Sequence, residues 1–196
     1  HVLGAMNIAQ TLAGSKIPYL HVGSLLTNLG DAPPYRDYIR AKHQSTDIIV
    51  NGIVSGRLIG SVLLLDSVYG PTLPRGRFLH DCARSLQTIG TFTVRHPRQT
   101  RGFTDVRDVA RHVVQWIGSD APYPSVQALV GPQHLSMVEA ATILAGLISP
   151  SRALSLPHRP SSDSGYPLLP PGAVPVAAPT GFIEGITEAL HFGLGR

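Results

Sequence analysis

Tyr38 and Lys42, one helical turn apart, are the pair in this sequence best suited to chemistry. On a helix, positions i and i+4 share a face, so the phenol and the ammonium can converge on one point outside it. A neighbouring cation favours the phenolate and moves the phenol toward the working range of a general acid or base. Ser24 stands upstream, just past the apolar run 17–22, where its hydroxyl could hold a substrate oxygen beside the Tyr38 phenol. A serine, a tyrosine and a lysine in that order fit proton chemistry at a carbonyl or alcohol oxygen, coupled to hydride transfer. Six tyrosines and two lysines in 196 residues meet this spacing by accident about 6% of the time. The plain alternative is an amphipathic helix pair with a solvated lysine. What gives the pair weight is its place after a strand, a serine and a loop, and before another strand.

The elements that must position these residues alternate between helical and strand periods. Apolar residues from Val2 to Leu12 recur at helical spacing and stop at Gly14. Ile17 to Val22 reads as a short buried strand, followed by a helix from Tyr35 to Val50 and a second buried strand over Ser61–Asp66. Tyr69-Gly70-Pro71 reads as a turn. Helices are then expected over Phe78–Leu86, Val106–Ile117, Ser136–Ile148 and Gly181–Phe192, with strands at Thr91–Val94 and Val126–Val130. Ser136 followed three residues later by Glu139 is a capping box. Asp108 reads as a structural cap for its helix. Eight of the 17 prolines lie between Pro150 and Pro179, around the polar run Pro160–Gly165, so 149–180 is expected to be a Pro-rich loop with a brief strand at Ala153–Leu156.

Short strands separated by helices argue for an α/β fold, a partial parallel sheet flanked by helices. The division expected is 1–118 as a sheet domain holding the reactive residues, with interleaved elements near 71–105, then 119–196 as a smaller C-terminal region ending in a helix. With 43% hydrophobic and 14% charged residues the chain has the balance of a folded domain. Cys82 is the single cysteine, so a disulfide framework within the chain is excluded, and a reducing, cytoplasmic location is expected. The apolar runs 61–66 and 138–148 fall short of the roughly 20 residues of a bilayer span. The chain starts at His1 without an initiator methionine or a visible signal peptide, which suggests a processed chain or a fragment. Nine histidines include no helical His-x-x-x-His pair, so no metal is expected. Fourteen arginines are spread from Arg36 to Arg196 rather than gathered in a stripe, which argues against a nucleic-acid partner. Gly23-Ser24-Leu25 lacks the flanking glycines of a hydrolase nucleophile elbow.

Several segments in order resemble the extended short-chain dehydrogenase/reductases, the family of nucleotide-sugar epimerases, dehydratases and ketoreductases. These are His1-Val-Leu-Gly-Ala-Met-Asn7, Tyr19-Leu-His-Val-Gly-Ser24, Tyr38-x-x-x-Lys42, Asp66-Ser-Val-Tyr-Gly-Pro71, the stretch from Arg98 to Ala110, and Gly131-Pro-Gln-His-Leu-Ser-Met137. The resemblance implies a partial Rossmann-like sheet with a small substrate-side region, NAD or NADP as cofactor, a nucleotide-sugar partner, and compatibility with a homodimer. It implies that Tyr38 exchanges the proton, Lys42 binds the nicotinamide ribose and lowers the phenol pKa, and Ser24 orients the carbonyl. Ser67 and Val68 fall where the family approaches the nicotinamide, Arg101 matches an arginine facing the diphosphate, and Arg77 lies where the substrate nucleotide is covered. For both arginines a solvated surface charge is the plain alternative.

The departures carry information too. The family's Gly-rich dinucleotide turn between a first strand and a first helix is absent from this sequence. Gly52-x-x-x-Gly56-x-x-x-Gly60 follows a helix and precedes a strand, the reverse of what pyrophosphate binding requires. Ser67 replaces the usual Asn and Leu64 a common Arg, changes that resemble the deoxyhexose 4-ketoreductases of the family. The expected activity is therefore 4-ketoreduction of a nucleotide-linked sugar. The alternatives are epimerisation or dehydration in the same family, or a catalytically silent binding module.

Overall fold

The structure, a computed structural model, describes residues 1–25, 36–120, 122–149, 151–156 and 169–193. The expected helix start at Tyr35 and the polar run Pro160–Gly165 lie outside the described residues. In chain order the elements are α1 (Val2–Leu12), β1 (Tyr19–Ser24), α2 (Arg36–Val54), β2 (Gly60–Leu65), β3 (Ser67–Tyr69), α3 (Phe78–Thr88), β4 (Thr91–Thr93), β5 (Thr100–Asp105) and α4 (Val106–Ile117). Then come β6 (Val126–Val130), β7 (His134–Ser136), α5 (Met137–Ile148), β8 (Ala153–Ser155), β9 (Val174–Ala177) and α6 (Phe182–Gly193).

The chain divides into two compact units. The first draws on 1–66, 112–130 and 169–177, the second on 67–111, 131–156 and 178–193. The chain passes from one unit to the other five times.

The first unit is built on a parallel four-stranded sheet in the order β1-β2-β6-β9. Parallel sheets are usually covered on both faces, and β2 obeys: Val62, Leu63, Leu64 and Leu65 are all buried. β1, expected to be buried as well, pairs with β2 alone among the described residues, and Val22 is 44% exposed. In the Pro-rich stretch 149–180 the brief strand expected at Ala153–Leu156 is present as β8, and β9 adds a second strand that was not expected. It pairs with β6 although it contains Pro175, which a strand tolerates at a sheet edge, where the missing N–H can face away from the neighbour. On the core face, Ala5 of α1 and Ile49 of α2 pack with Leu58, Val62, Leu64 and Ala128.

The α2–β2 connection explains the glycine series Gly52, Gly56 and Gly60. Gly56 has φ +70° and closes α2: its N–H bonds to Ile53 O at 2.9 Å, and the Arg57 N–H bonds to Gly52 O at 3.0 Å. That pair of bonds is the Schellman helix stop. Gly60 lies so close to β1 that a Cβ there would sit 1.9 Å from the Tyr19 carbonyl oxygen. These glycines serve a turn and a strand contact.

The second unit holds a three-stranded sheet, β3-β5-β7, and the two-stranded pair β4–β8. β3 runs up to Tyr69, the first residue of the expected Tyr69-Gly70-Pro71 turn, and is parallel to β5, while β5 and β7 run antiparallel. Its core gathers Leu79, Cys82 and Leu86 of α3, Phe103 of β5, Leu144 of α5, and Phe182 and Ile186 of α6. Phe182 packs against Phe103 at 4.8 Å and edge-on to Tyr69 at 5.6 Å between ring centroids. Burial pushes the Cys82 thiol up to about 12, so it is an inert core group. The Ser136 capping box opens α5 as expected.

Asp108 has a different role from the cap expected for it. The residue bonded to the start of α4 is Asp105, whose Oδ1 accepts the Arg107 N–H at 2.8 Å. Asp108 is buried and accepts both the Thr180 N–H and the Thr180 hydroxyl, each at 2.9 Å, while also pairing with Arg111. It ties α4 to the residues that lead into α6. No helix among the described residues is long and apolar enough to cross a membrane.

Candidate active site

Ser24 is the last residue of β1 and pairs with Leu65, the last residue of β2. It therefore stands at the carboxyl edge of the parallel sheet, the edge where open α/β sheets bind ligands. Tyr38 and Lys42 lie on the first two turns of α2, one turn apart. The helix packs on β1 closely: a Cβ added at Gly23 would come within 3.1 Å of Thr46 Oγ1, one turn beyond Lys42.

Tyr38 is 45% exposed and its ring stands edge-on to the His1 ring, 6.0 Å between centroids. The phenol is thus reachable from solvent. Lys42 is half-buried, and among the described residues it forms no ion pair. Its charge does reach inward. Burial lowers the pKa of His21 on β1, and the Lys42 ammonium lowers it further. Both effects disfavour the imidazolium, so the ring is held neutral.

The structure thus brings Ser24, Tyr38 and Lys42 into one unit, on a strand and the helix that packs on it. The remaining predicted site residues belong to the other unit. Ser67 pairs with Phe103 and Val68 with Thr104 across β3–β5, and Val68 is exposed. Arg101 lies on β5, two residues from the Ser67 partner, opposite Leu135 of β7, and is half-buried. Arg77 stands apart from that sheet. It is the exposed N-cap residue of α3, whose backbone carbonyl accepts the Asp81 N–H at 2.9 Å.

Sequence reasoning passed over His21. The signal available was alternation: counting back from Gly23 puts His21 on the strand face covered by α2. The far end of the sheet carries polar groups of another kind. Gln127 Nε2 donates to Ser61 Oγ at 3.1 Å, and Ser61 Oγ donates to Pro124 O at 2.6 Å. His112 is held below its ordinary pKa by burial, against a hydrogen bond with Gln127. The bonds of Gln127 and Ser61 satisfy buried groups at the amino ends of the strands, while His112 Nε2 has no partner among the described residues. Among the described residues no group of three or more His, Cys, Asp or Glu side chains is placed to hold a metal ion.

No family model matches the chain, and no curated protein matches it. Solved structures do. An NAD-dependent NDP-hexosamine 5,6-dehydratase, TunA, involved in tunicamycin biosynthesis, aligns at TM-score 0.77 and 18% identity, over 100% of this chain and 69% of its own. MoeE5, solved with UDP-glucuronic acid and NAD, aligns at 0.76 and 17% identity, over 97% and 69%. A dTDP-glucose 4,6-dehydratase from Bacillus anthracis, solved with NAD, aligns at 0.75 and 13% identity, over 97% and 66%. The chain therefore spans about two-thirds of the length of these structures. At such identities the likeness is one of fold, and it defines the class: an α/β chain with a Rossmann-like parallel sheet.

Proposed function

We propose that the chain carries the catalytic residues of an NAD(P)-dependent enzyme acting on a nucleotide-linked keto sugar, as a 4-ketoreductase. The observation that supports this reading is the placement of Tyr38 and Lys42. They sit one turn apart on a helix packed on β1, which ends in Ser24, and the Lys42 ammonium is not neutralised by any described carboxylate.

A ribose hydroxyl pair suits an ammonium with three N–H donors and no ion pair among the described residues, and an exposed phenol suits a nicotinamide carrier beside it. When bound, the reduced nicotinamide supplies hydride to the carbonyl carbon. Ser24 donates a hydrogen bond to the carbonyl oxygen and fixes its direction. Tyr38 gives its phenolic proton to that oxygen as negative charge develops there. Lys42 stabilises the resulting phenolate, which lowers the cost of the transfer. The same reading assigns Ser67 and Val68 to cofactor contacts, and Arg101 and Arg77 to the substrate's diphosphate and nucleotide. Each is testable alone by substitution.

Sugar epimerisation or dehydration is the second reading, favoured by the dehydratases among the structural neighbours. Both readings need the same tyrosine and lysine. The test is a titration with NADH and NADPH followed by nicotinamide fluorescence, together with turnover of a keto-sugar nucleotide. Saturable binding weakened by Lys42→Met, with turnover abolished by Tyr38→Phe, is expected. Full turnover in Tyr38→Phe overturns the assignment, and absence of binding in the wild-type chain points to a silent module instead.

A further inference from the structure

His21 is a polar group that the chemistry above leaves unused. It stands three residues before Ser24 and shares with Gly23 the face of β1 that α2 covers. On the neighbouring strand its register partner is Val62 and that of Gly23 is Leu64, both fully buried, so the imidazole borders an apolar layer. One ring nitrogen is engaged, Nδ1 lying 3.3 Å from the Tyr19 hydroxyl. The other, Nε2, is buried and has no hydrogen-bond partner among the described residues, and Thr46 Oγ1 on the facing helix has none either. A buried ring nitrogen without a partner is costly, and native structures rarely leave one so. The group near it with donors to spare is Lys42, whose charge acts on this ring and which forms no ion pair among the described residues.

We propose that His21 is a positioning residue for Lys42: with its Nδ1–H donated to the Tyr19 oxygen, the neutral ring offers Nε2 as the acceptor for one N–H of the Lys42 ammonium. This rests on the reductase reading for its purpose. An ammonium has three donors and no acceptor, and its stem is flexible. Holding one donor on the β1 side leaves two directed outward, one for the ribose and one toward Tyr38. The contact forms by rotation of the lysine stem. An imidazolium could not make it, since it has no lone pair and carries a like charge. The tautomer is part of the proposal, because Nε2 must be the unprotonated nitrogen.

Two measurements test it. Imidazole nitrogen NMR of the wild-type chain should show an unprotonated Nε2 in neutral His21, and Lys42→Met should move the His21 titration to higher pH. A proton on Nε2, or a titration that Lys42→Met leaves in place, overturns the proposal. In the reductase assay His21→Phe should raise the cofactor KM about tenfold with kcat less affected, the size of one lost hydrogen bond. His21→Gln, whose amide oxygen can accept the same bond, should recover most of that loss. Equal loss in both variants overturns the proposal. If the wild-type chain turns nothing over, the reductase reading falls, and the NMR result still decides the contact.

Discussion

The two units hold their polar groups in opposite ways. In the first, the side chains suited to chemistry sit at the carboxyl edge of a parallel sheet, and Tyr38 and Lys42 are not tied to any carboxylate among the described residues. In the second, the strongest polar groups are spent on each other. Arg107 bridges Asp105 to Glu188, and Asp108 clamps Thr180 and Arg111. Charge left unpaired is available to a ligand, whereas charge in a closed network orders the chain. By that criterion the proposed reaction belongs to the first unit, and the ion pairs of the second order the chain.

The sharpest way to break this contrast is to remove one group from each side. Tyr38→Phe should lower turnover about 100-fold or more, the usual contribution of a general acid, and leave stability within about 0.5 kcal/mol because the phenol is exposed. Asp108→Ala should do the reverse. It leaves the Thr180 N–H and the Arg111 guanidinium without their acceptor and should destabilise the second unit by about 3 kcal/mol, read from a urea melt and from amide exchange at α6.

Acid should separate the units more gently. His21 and His112 have pKa values lowered from 6.5, so the unfolded chain binds protons there first, and stability in the first unit falls as pH drops below 6.5. Burial alone would raise the Asp105 carboxyl, but the side-chain and backbone hydrogen bonds from Arg107 outweigh it and hold it below its usual 3.8. Its contribution is complete above that value and is lost as pH falls through the depressed folded value. Amide exchange followed against pH should therefore show β1 and β6 loosening before β5 and α6. Simultaneous loosening near neutral pH would contradict the assignment. The smallest effect expected is Ser136→Ala, which removes the capping box of α5 and should cost about 1 kcal/mol in a thermal or urea melt.

Helices were legible because each carries its signal locally: apolar period, cap, stop. α1 ends at Leu12, two residues before Gly14 with φ +73°, and α5 begins on the Ser136–Glu139 box. Strands were less so, because their identity depends on neighbours. β5 reads Thr-Arg-Gly-Phe-Thr-Asp, with no alternation to mark it, and becomes a strand by lying between β3 and β7. β9 contains a proline that argues against a strand until an edge position is available. The exposure of β1 had the same cause, since an apolar run does not say how many partners it has. Of the candidate site, Ser24, Tyr38 and Lys42 stand out by order, spacing and family resemblance, while His21 needs the face of β1 and the helix covering it.

The most direct test of the central assignment is isotope transfer. A keto-sugar nucleotide is incubated with reduced nicotinamide cofactor deuterated at the transferring position, using the wild-type chain and Tyr38→Phe, and the product is weighed by mass spectrometry. The expected result is deuterium on the former carbonyl carbon with the wild-type chain, and a rate of incorporation lower by about 100-fold or more in Tyr38→Phe. A wild-type chain that turns the sugar over with no deuterium in the product, or a Tyr38→Phe chain that incorporates it at the wild-type rate, would contradict the assignment.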